Sequence, residues 1–123
     1  MAASRLQPCP GTPNCVSSDA ADPRHATEPF RLAVPASEAW GAIRTAVAGM
    51  SRTRIVQDTG AYLHAECRSA LFGFVDDLEL ERRPPDGLVA VRSAARLGSY
   101  DFGVNRRRVE TLRATLKRRG VIR

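Results

Sequence analysis

Apolar residues recur along this chain with two different periods, and the switches between them predict its elements. From Ser37 the period is helical: Trp40, Ile43, Val47 and Met50 fall at i, i+3, i+7 and i+10, one stripe of a helix. Ser37 is placed to cap that helix, Glu38 suits the positive end of its dipole, and Gly49 is placed to stop it. Before it, Phe30–Val34 reads as a short strand ended by Pro35. After it, four segments read as strands: Arg54–Asp58, Tyr62–Ser69, Asp77–Arg82 and Leu88–Arg96. Leu63, Ala65 and Cys67 alternate with Tyr62, His64, Glu66 and Arg68, Leu78 and Leu80 with Glu79 and Glu81, and Val89 and Val91 with Arg92. Pro84-Pro85-Asp86-Gly87 marks a turn, and Leu97–Gly103 a glycine-bearing loop. From Asn105 the helical period returns, with Val109, Leu112 and Leu116 at i, i+3 and i+7.

The order β-α-β-β-β-β-α, with short links between the last four strands, predicts an antiparallel meander. Two amphipathic helices cover one face of such a sheet, which gives a two-layer α+β domain similar to helix-grip or TATA-binding-protein-like folds. The alternation makes the other face polar. Residues 1–29 carry five of the eight prolines and predict an irregular arm packed on a single domain of residues 30–123.

Composition narrows this further. A chain of 123 residues, 43% hydrophobic and 26% charged, holds one domain with one modest core, which excludes two domains and wholesale disorder. No apolar run approaches the ~18 residues of a membrane helix, so no transmembrane segment is expected. Met1–Pro10 carries no export signal, so with Met1 as the native start the expected compartment is the cytoplasm.

The net charge of +6 is not spread evenly. Residues 104–123 hold eight basic side chains against Glu110, a local +7, while the other 103 residues carry 11 basic and 12 acidic side chains. The basicity therefore belongs to the terminal helix. Nucleic acid is not the expected partner: aromatic residues are few, and the basic side chains read as surrounding the helix instead of forming one stripe.

The sharpest local anomaly is Asn105-Arg106-Arg107-Arg108. With Asn105 as cap, three cations crowd the positive end of a helix dipole, which costs ~0.3–1 kcal/mol each at exposed sites. Nearby negative charge resolves this, either from Asp76, Asp77 and Asp101 or from an anionic ligand held by guanidinium forks and helix N–H groups. The loop before it matches no phosphate-binding glycine pattern, so no cofactor is expected. His64 and Glu66 share the polar sheet face and are the pair an enzyme would use as base and acid. Cys9 and Cys15 have five residues between them, which fits no usual zinc spacing, and no metal site is expected. A disulfide can close across Pro10, Gly11 and Pro13, but the missing export signal argues for reduced thiols. Cys67 reads as a small core residue.

Longer motifs carry a resemblance. Cys9-Pro10-Gly11-Thr12-Pro13-Asn14-Cys15-Val16-Ser17-Ser18, Glu28-Pro29-Phe30, Ala39-Trp40, Leu71-Phe72-Gly73-Phe74-Val75-Asp76-Asp77 and Asp101-Phe102-Gly103-Val104-Asn105-Arg106-Arg107-Arg108-Val109-Glu110 stand in series. Over about Cys9 to Arg113 the chain resembles the domain-of-unknown-function family numbered 1499, of bacteria and plastid-bearing eukaryotes. Many relatives resemble exported or membrane-attached proteins, which implies a periplasmic or membrane-associated alternative to the cytoplasm. The resemblance implies no activity, but it picks out polar residues to watch. Among them, His25, Glu28, Asp76 and Asp77 are candidates for a structural network. The candidate ligand-binding set is His64, Glu66, Arg92, Asp101, Asn105, Arg106 and Arg107. The expected function is a small non-catalytic binding or accessory module that recognises an anionic ligand near the last helix or a protein partner. A small enzyme using His64 and Glu66 is one alternative. A nucleic-acid or membrane-surface binder acting through the basic helix is the other.

Overall fold

Six strands form one sheet, and two helices cover one of its faces. The computed structural model describes residues 6–70, 73–84, 87–98 and 103–123. The strands are β1 (Cys15–Ser17), β2 (Phe30–Arg31), β3 (Thr53–Asp58), β4 (Tyr62–Arg68), β5 (Val75–Arg83) and β6 (Leu88–Ala95); the helices are α1 (Ala36–Ala48) and α2 (Val104–Arg118). β3 to β6 form the expected antiparallel meander, and the sheet order is β1-β6-β5-β4-β3. The fold is a two-layer α+β domain. β1 and β2 share the outer edge of β6, β1 pairing with Arg92–Ala94 and β2 with Leu88 and Val89. That is one strand more than the pattern predicts, because Cys15–Ser17 is too short to show alternation.

Alternation holds where it was read. Leu63, Ala65, Cys67, Leu78, Leu80, Val89 and Val91 face the helices and join Trp40, Ile43, Val47, Val109, Leu112 and Leu116 in one core. A fully buried leucine there contributes ~1.5–3 kcal/mol by leaving water. β2 is shorter than Phe30–Val34, since beyond Arg31 the chain turns to bridge Leu32 to Ile122 near the C-terminus.

Both helix caps differ from expectation. α1 begins at Ala36 after Pro35, with no side-chain cap, so Ser37 lies within its first turn. Gly49 ends it in right-handed backbone, φ −84°. α2 begins after Gly103, whose φ of +78° favours glycine, and Asn105 is not its cap. A Cβ on Gly103 would also stand 3.2 Å from the Arg107 guanidinium, so the turn and that arginine are fitted to each other.

The second face of the sheet is not simply solvated. Leu6 packs with Tyr62 and Ala90 in a small separate cluster, and Glu79 and Glu81 are buried. Cys9 and Cys15 are joined in a disulfide, contrary to the expectation of reduced thiols, while Cys67 is free and buried. Residues 6–17 are therefore tied down by β1, by the disulfide and by Leu6.

Candidate functional site

The residues around the start of α2 separate into three stripes, and each stripe has a different job. Asn105, Val109, Leu112 and Leu116 form the buried stripe. Asn105 is fully buried: Ser93 Oγ donates to its Oδ1 at 2.6 Å, Arg108 Nη1 donates to the same oxygen at 2.7 Å, and Asn105 Nδ2 donates to the Asn14 carbonyl at 3.3 Å. It is a junction between α2, β6 and the N-terminal segment, not a ligand contact at a helix mouth.

The second stripe, Arg106, Glu110, Arg113 and Lys117, faces residues 24–31. Arg106 donates to the carbonyls of Ala26 (2.9 Å) and Arg24 (3.2 Å). Arg113 donates to the carbonyls of Glu28 (2.8 Å) and Pro29 (3.3 Å) and lies 4.9 Å over the Phe30 ring. These guanidiniums strap the N-terminal segment to the helix. A cleft of about 660 Å³ runs along this side, and its lining includes the carboxylates Glu28 and Glu110. Both are partnered, Glu110 by Arg113 at 3.0 Å and Glu28 by Arg31 at 3.5 Å.

The third stripe is Arg107, Arg108, Thr111, Thr115, Arg118 and Arg119, on the other flank of the buried one. It forms one wall of a cleft of about 510 Å³ whose opposite wall holds Met50, Arg52, Thr53, Cys67 and Arg68. Six arginines line this cleft, and no carboxylate appears among the described residues of its lining. The basic side chains of α2 thus lie in two stripes, not all around it as the sequence suggested. Arg52 and Arg68 come together because Arg68 N–H donates to the Arg52 carbonyl (2.9 Å) and Arg52 Nε to the Arg68 carbonyl (3.2 Å). Arg52 is the only non-glycine with positive φ among the described residues, +50°, a conformation that surrounding contacts must hold. Arg108 lies at the inner side of this cleft and is committed to the protein, with Asp76 Oδ2 at 2.8 Å and Ser93 Oγ at 3.1 Å. Burial of Cys67 beneath the same cleft pushes its thiol pKa up.

Of the acids expected to neutralise the arginine triplet, only Asp76 does so among the described residues. Asp77 points to the opposite face by strand alternation, and Asp101 lies outside the described residues, as do Leu71-Phe72, Pro85-Asp86 and 99–102 of the predicted loop. His25 is buried, with Nδ1 2.9 Å from the Cys15 carbonyl, and its own carbonyl accepts from Ser17 N–H at 2.7 Å. Glu28 is exposed and contributes to the arm through its backbone carbonyl.

The polar sheet face holds three ion-pair networks among the described residues, one of them Arg83 bridging Glu81 (2.8 Å) and Asp19 (2.7 Å) and the other two containing the predicted site residues. His64 Nε2 lies 2.6 Å from Asp77 Oδ1, and Arg96 spans Asp77 (2.7 Å) and Glu66 (2.7 Å). Arg54 reaches Glu66 from β3 at 3.3 Å. Arg96 and Arg54 hold the Glu66 carboxyl below its usual range. Burial pushes Asp77 up, but Arg96 and His64 outweigh it and leave its pKa lowered. In the second network Arg92 Nη1 donates to Glu79 (3.1 Å), and Glu79 also accepts from the Tyr62 hydroxyl. His64 and Glu66 are thus joined only through Asp77 and Arg96, each occupied by a partner. That is the cross-strand pairing expected of opposed charges on neighbouring strands.

The structure therefore disperses the sequence-derived set. Arg107 lines the arginine cleft, Arg106 straps the arm, Asn105 is buried, and His64, Glu66 and Arg92 lie on the far face of the sheet. Arg52, Arg68, Arg118 and Arg119 were missed. The spacing of Arg107, Arg108, Arg118 and Arg119 (i, i+1, i+11, i+12) marks one helical flank and was legible; Arg52 and Arg68 carry no local signal.

A family model described as "Protein of unknown function (DUF1499)" matches residues 5–116. No curated protein and no solved structure matches the chain.

Proposed function

Because the chain belongs to the DUF1499 family, whose description assigns no activity, its role has to come from its own surfaces, and we propose that it is a small non-catalytic module that recognises an anionic ligand in the arginine cleft. The observation that carries this reading is the contrast between the two clefts beside α2. The larger one is lined by cations together with Glu28 and Glu110, which are paired to neighbouring arginines. The smaller one gathers six guanidiniums with no carboxylate among its described lining, although from outside it Asp76 meets Arg108 at 2.8 Å and Glu66 lies 4.0 Å from Arg68. Holding like charges together is unfavourable, and an anion relieves it. Arg107, Arg118, Arg119, Arg52 and Arg68 are exposed around the mouth, and guanidinium forks match phosphate and carboxylate oxygens two at a time. Thr111 of the same wall adds a hydroxyl donor, whereas Thr115 Oγ1 already donates to the Thr111 carbonyl at 3.2 Å.

The polar sheet face favours a structural role. His64, Glu66, Asp77 and Arg96 satisfy one another, and the clefts described above are lined by other residues. A crystal grown in phosphate tests the proposal. An ordered anion between Arg107 and Arg52 or Arg119 supports it, and an unoccupied cleft with anions bound elsewhere counts against it.

A further inference from the structure

We infer that the arginine-cleft end of the molecule docks on an anionic lipid bilayer, the cleft taking lipid phosphate while Phe74, Leu97 and Val104 enter the interface; this rests on the anion-recognition reading above. Four large apolar side chains stand exposed among the described residues, and three of them are at this end. Leu97 is 75% and Phe74 57% exposed, and Val104, 39% exposed, belongs to the cleft lining. Single exposed apolar residues are ordinary, but a cluster beside a basic cleft is not.

The sheet register brings them together. Asp76 pairs with Ala95 across β5 and β6, and Asp76 faces the helices, where it meets Arg108. Two residues back along one strand and two onward along the other, alternation puts Phe74 and Leu97 on that same side. The pairing continues past the named strands, since Arg96 N–H donates to the Val75 carbonyl at 3.1 Å. β4 ends here too, with Arg68 opposite Val75, and α2 starts here, with Val104 followed by Arg107 and Arg108. Apolar tips and guanidiniums thus share one end of the domain. Protruding Phe and Leu side chains partition into the acyl boundary while arginines reach headgroup phosphates, a pairing of terms that a bilayer rewards together.

The test is sedimentation of the full chain with vesicles of phosphatidylcholine, alone or mixed in equal parts with phosphatidylglycerol, alongside titration with inorganic pyrophosphate. The wild type is expected to bind the mixed vesicles and not the neutral ones. F74S/L97S is expected to lose about tenfold in vesicle binding while keeping pyrophosphate binding. R107A/R119A is expected to lose roughly 30-fold on vesicles and to weaken for pyrophosphate as well. All four side chains are exposed, and circular dichroism checks that each variant folds. Pyrophosphate binding without vesicle binding overturns the docking proposal and leaves the cleft reading standing. Vesicle binding unchanged in F74S/L97S overturns the apolar contribution. Binding to a duplex oligonucleotide with none to vesicles assigns the cleft to nucleic acid and overturns the proposal. Binding to none of these probes removes both readings.

Discussion

Ser93 on β6 donates its hydroxyl to Asn105 Oδ1 on α2 at 2.6 Å, and both side chains are fully buried. This one contact orients the start of the basic helix against the sheet. Arg108 shares both oxygens and carries the junction on to Asp76, and Asn105 Nδ2 reaches the Asn14 carbonyl beside the disulfide. Replacing Asn105 leaves Ser93 and Arg108 short of an acceptor in the interior. Asn105→Ala is expected to cost about 2–3 kcal/mol, read as a shift of the urea unfolding midpoint. A cost within ~0.5 kcal/mol, the level of an ordinary surface change, would show that the junction contributes little.

Neighbouring arginines are expected to behave differently. Arg108 and Asp76 are both largely buried, their side chains 12% and 13% exposed, and removing one partner strands the other. Arg108→Ala should cost about 3 kcal/mol. Arg107 is exposed at the cleft mouth, so Arg107→Ala should cost clearly less stability than Arg108→Ala while weakening anion binding. Thermal melts of the two variants side by side check this, and equal destabilisation would make Arg107 a strut.

Four carboxylates have pKa values lowered in the fold: Asp22, held at about 2 by the Arg24 guanidinium on the surface, and three through which acid should unfold the domain. Asp58 is lowered by the Trp40 indole N–H, the Gly60 N–H and Arg44; Glu66 by Arg96 and Arg54; and Asp77, against its burial, by Arg96 and His64. A lowered folded pKa means the unfolded chain takes up protons first as pH falls. Their stabilisation is fully present above about pH 5 and is lost progressively below it. Urea midpoints measured from neutral pH downward should fall in that window, and D58N/D77N should flatten the fall. An unchanged slope in the double variant would place the acid sensitivity elsewhere.

The disulfide should matter locally. Cys9 and Cys15 are six positions apart, and Cys15 is the first residue of β1. Opening so small a ring is expected to cost about 2 kcal/mol and to loosen Leu6 from Tyr62 and Ala90. Cys9→Ser, or reduction with dithiothreitol, should lower the melting temperature and speed proteolysis ahead of β1. Identical melting and cleavage with and without reductant would contradict this.

What was legible in the sequence follows from which interactions are local. The meander and both helices announced themselves because burial on one face forces a period of two or 3.6, and Leu63, Leu80, Val109 and Leu112 obey it. Cys15–Ser17 stayed hidden because three residues show no period, and its strand exists only through pairing with Arg92–Ala94. Asn105 was misread as a cap because its true partners, Ser93 and Asn14, lie 12 and 91 residues away. The Cys9–Cys15 disulfide was legible as a possibility from the spacing across Pro10, Gly11 and Pro13, and only the structure shows it closed. The candidate site was half visible. One flank of α2 encodes Arg107, Arg118 and Arg119 by spacing, but Arg52 and Arg68 reach the cleft only through the pairing of β3 with β4.

The most direct test of the anion-recognition account is calorimetric titration of inorganic pyrophosphate at low ionic strength into wild type, R107A/R119A and R31A. Arg31 lines the other cleft and serves as the control. Saturable wild-type binding, kept in R31A and weakened about tenfold or more in R107A/R119A, is the predicted result. No saturable binding in the wild type, or equal binding in R107A/R119A, would contradict it.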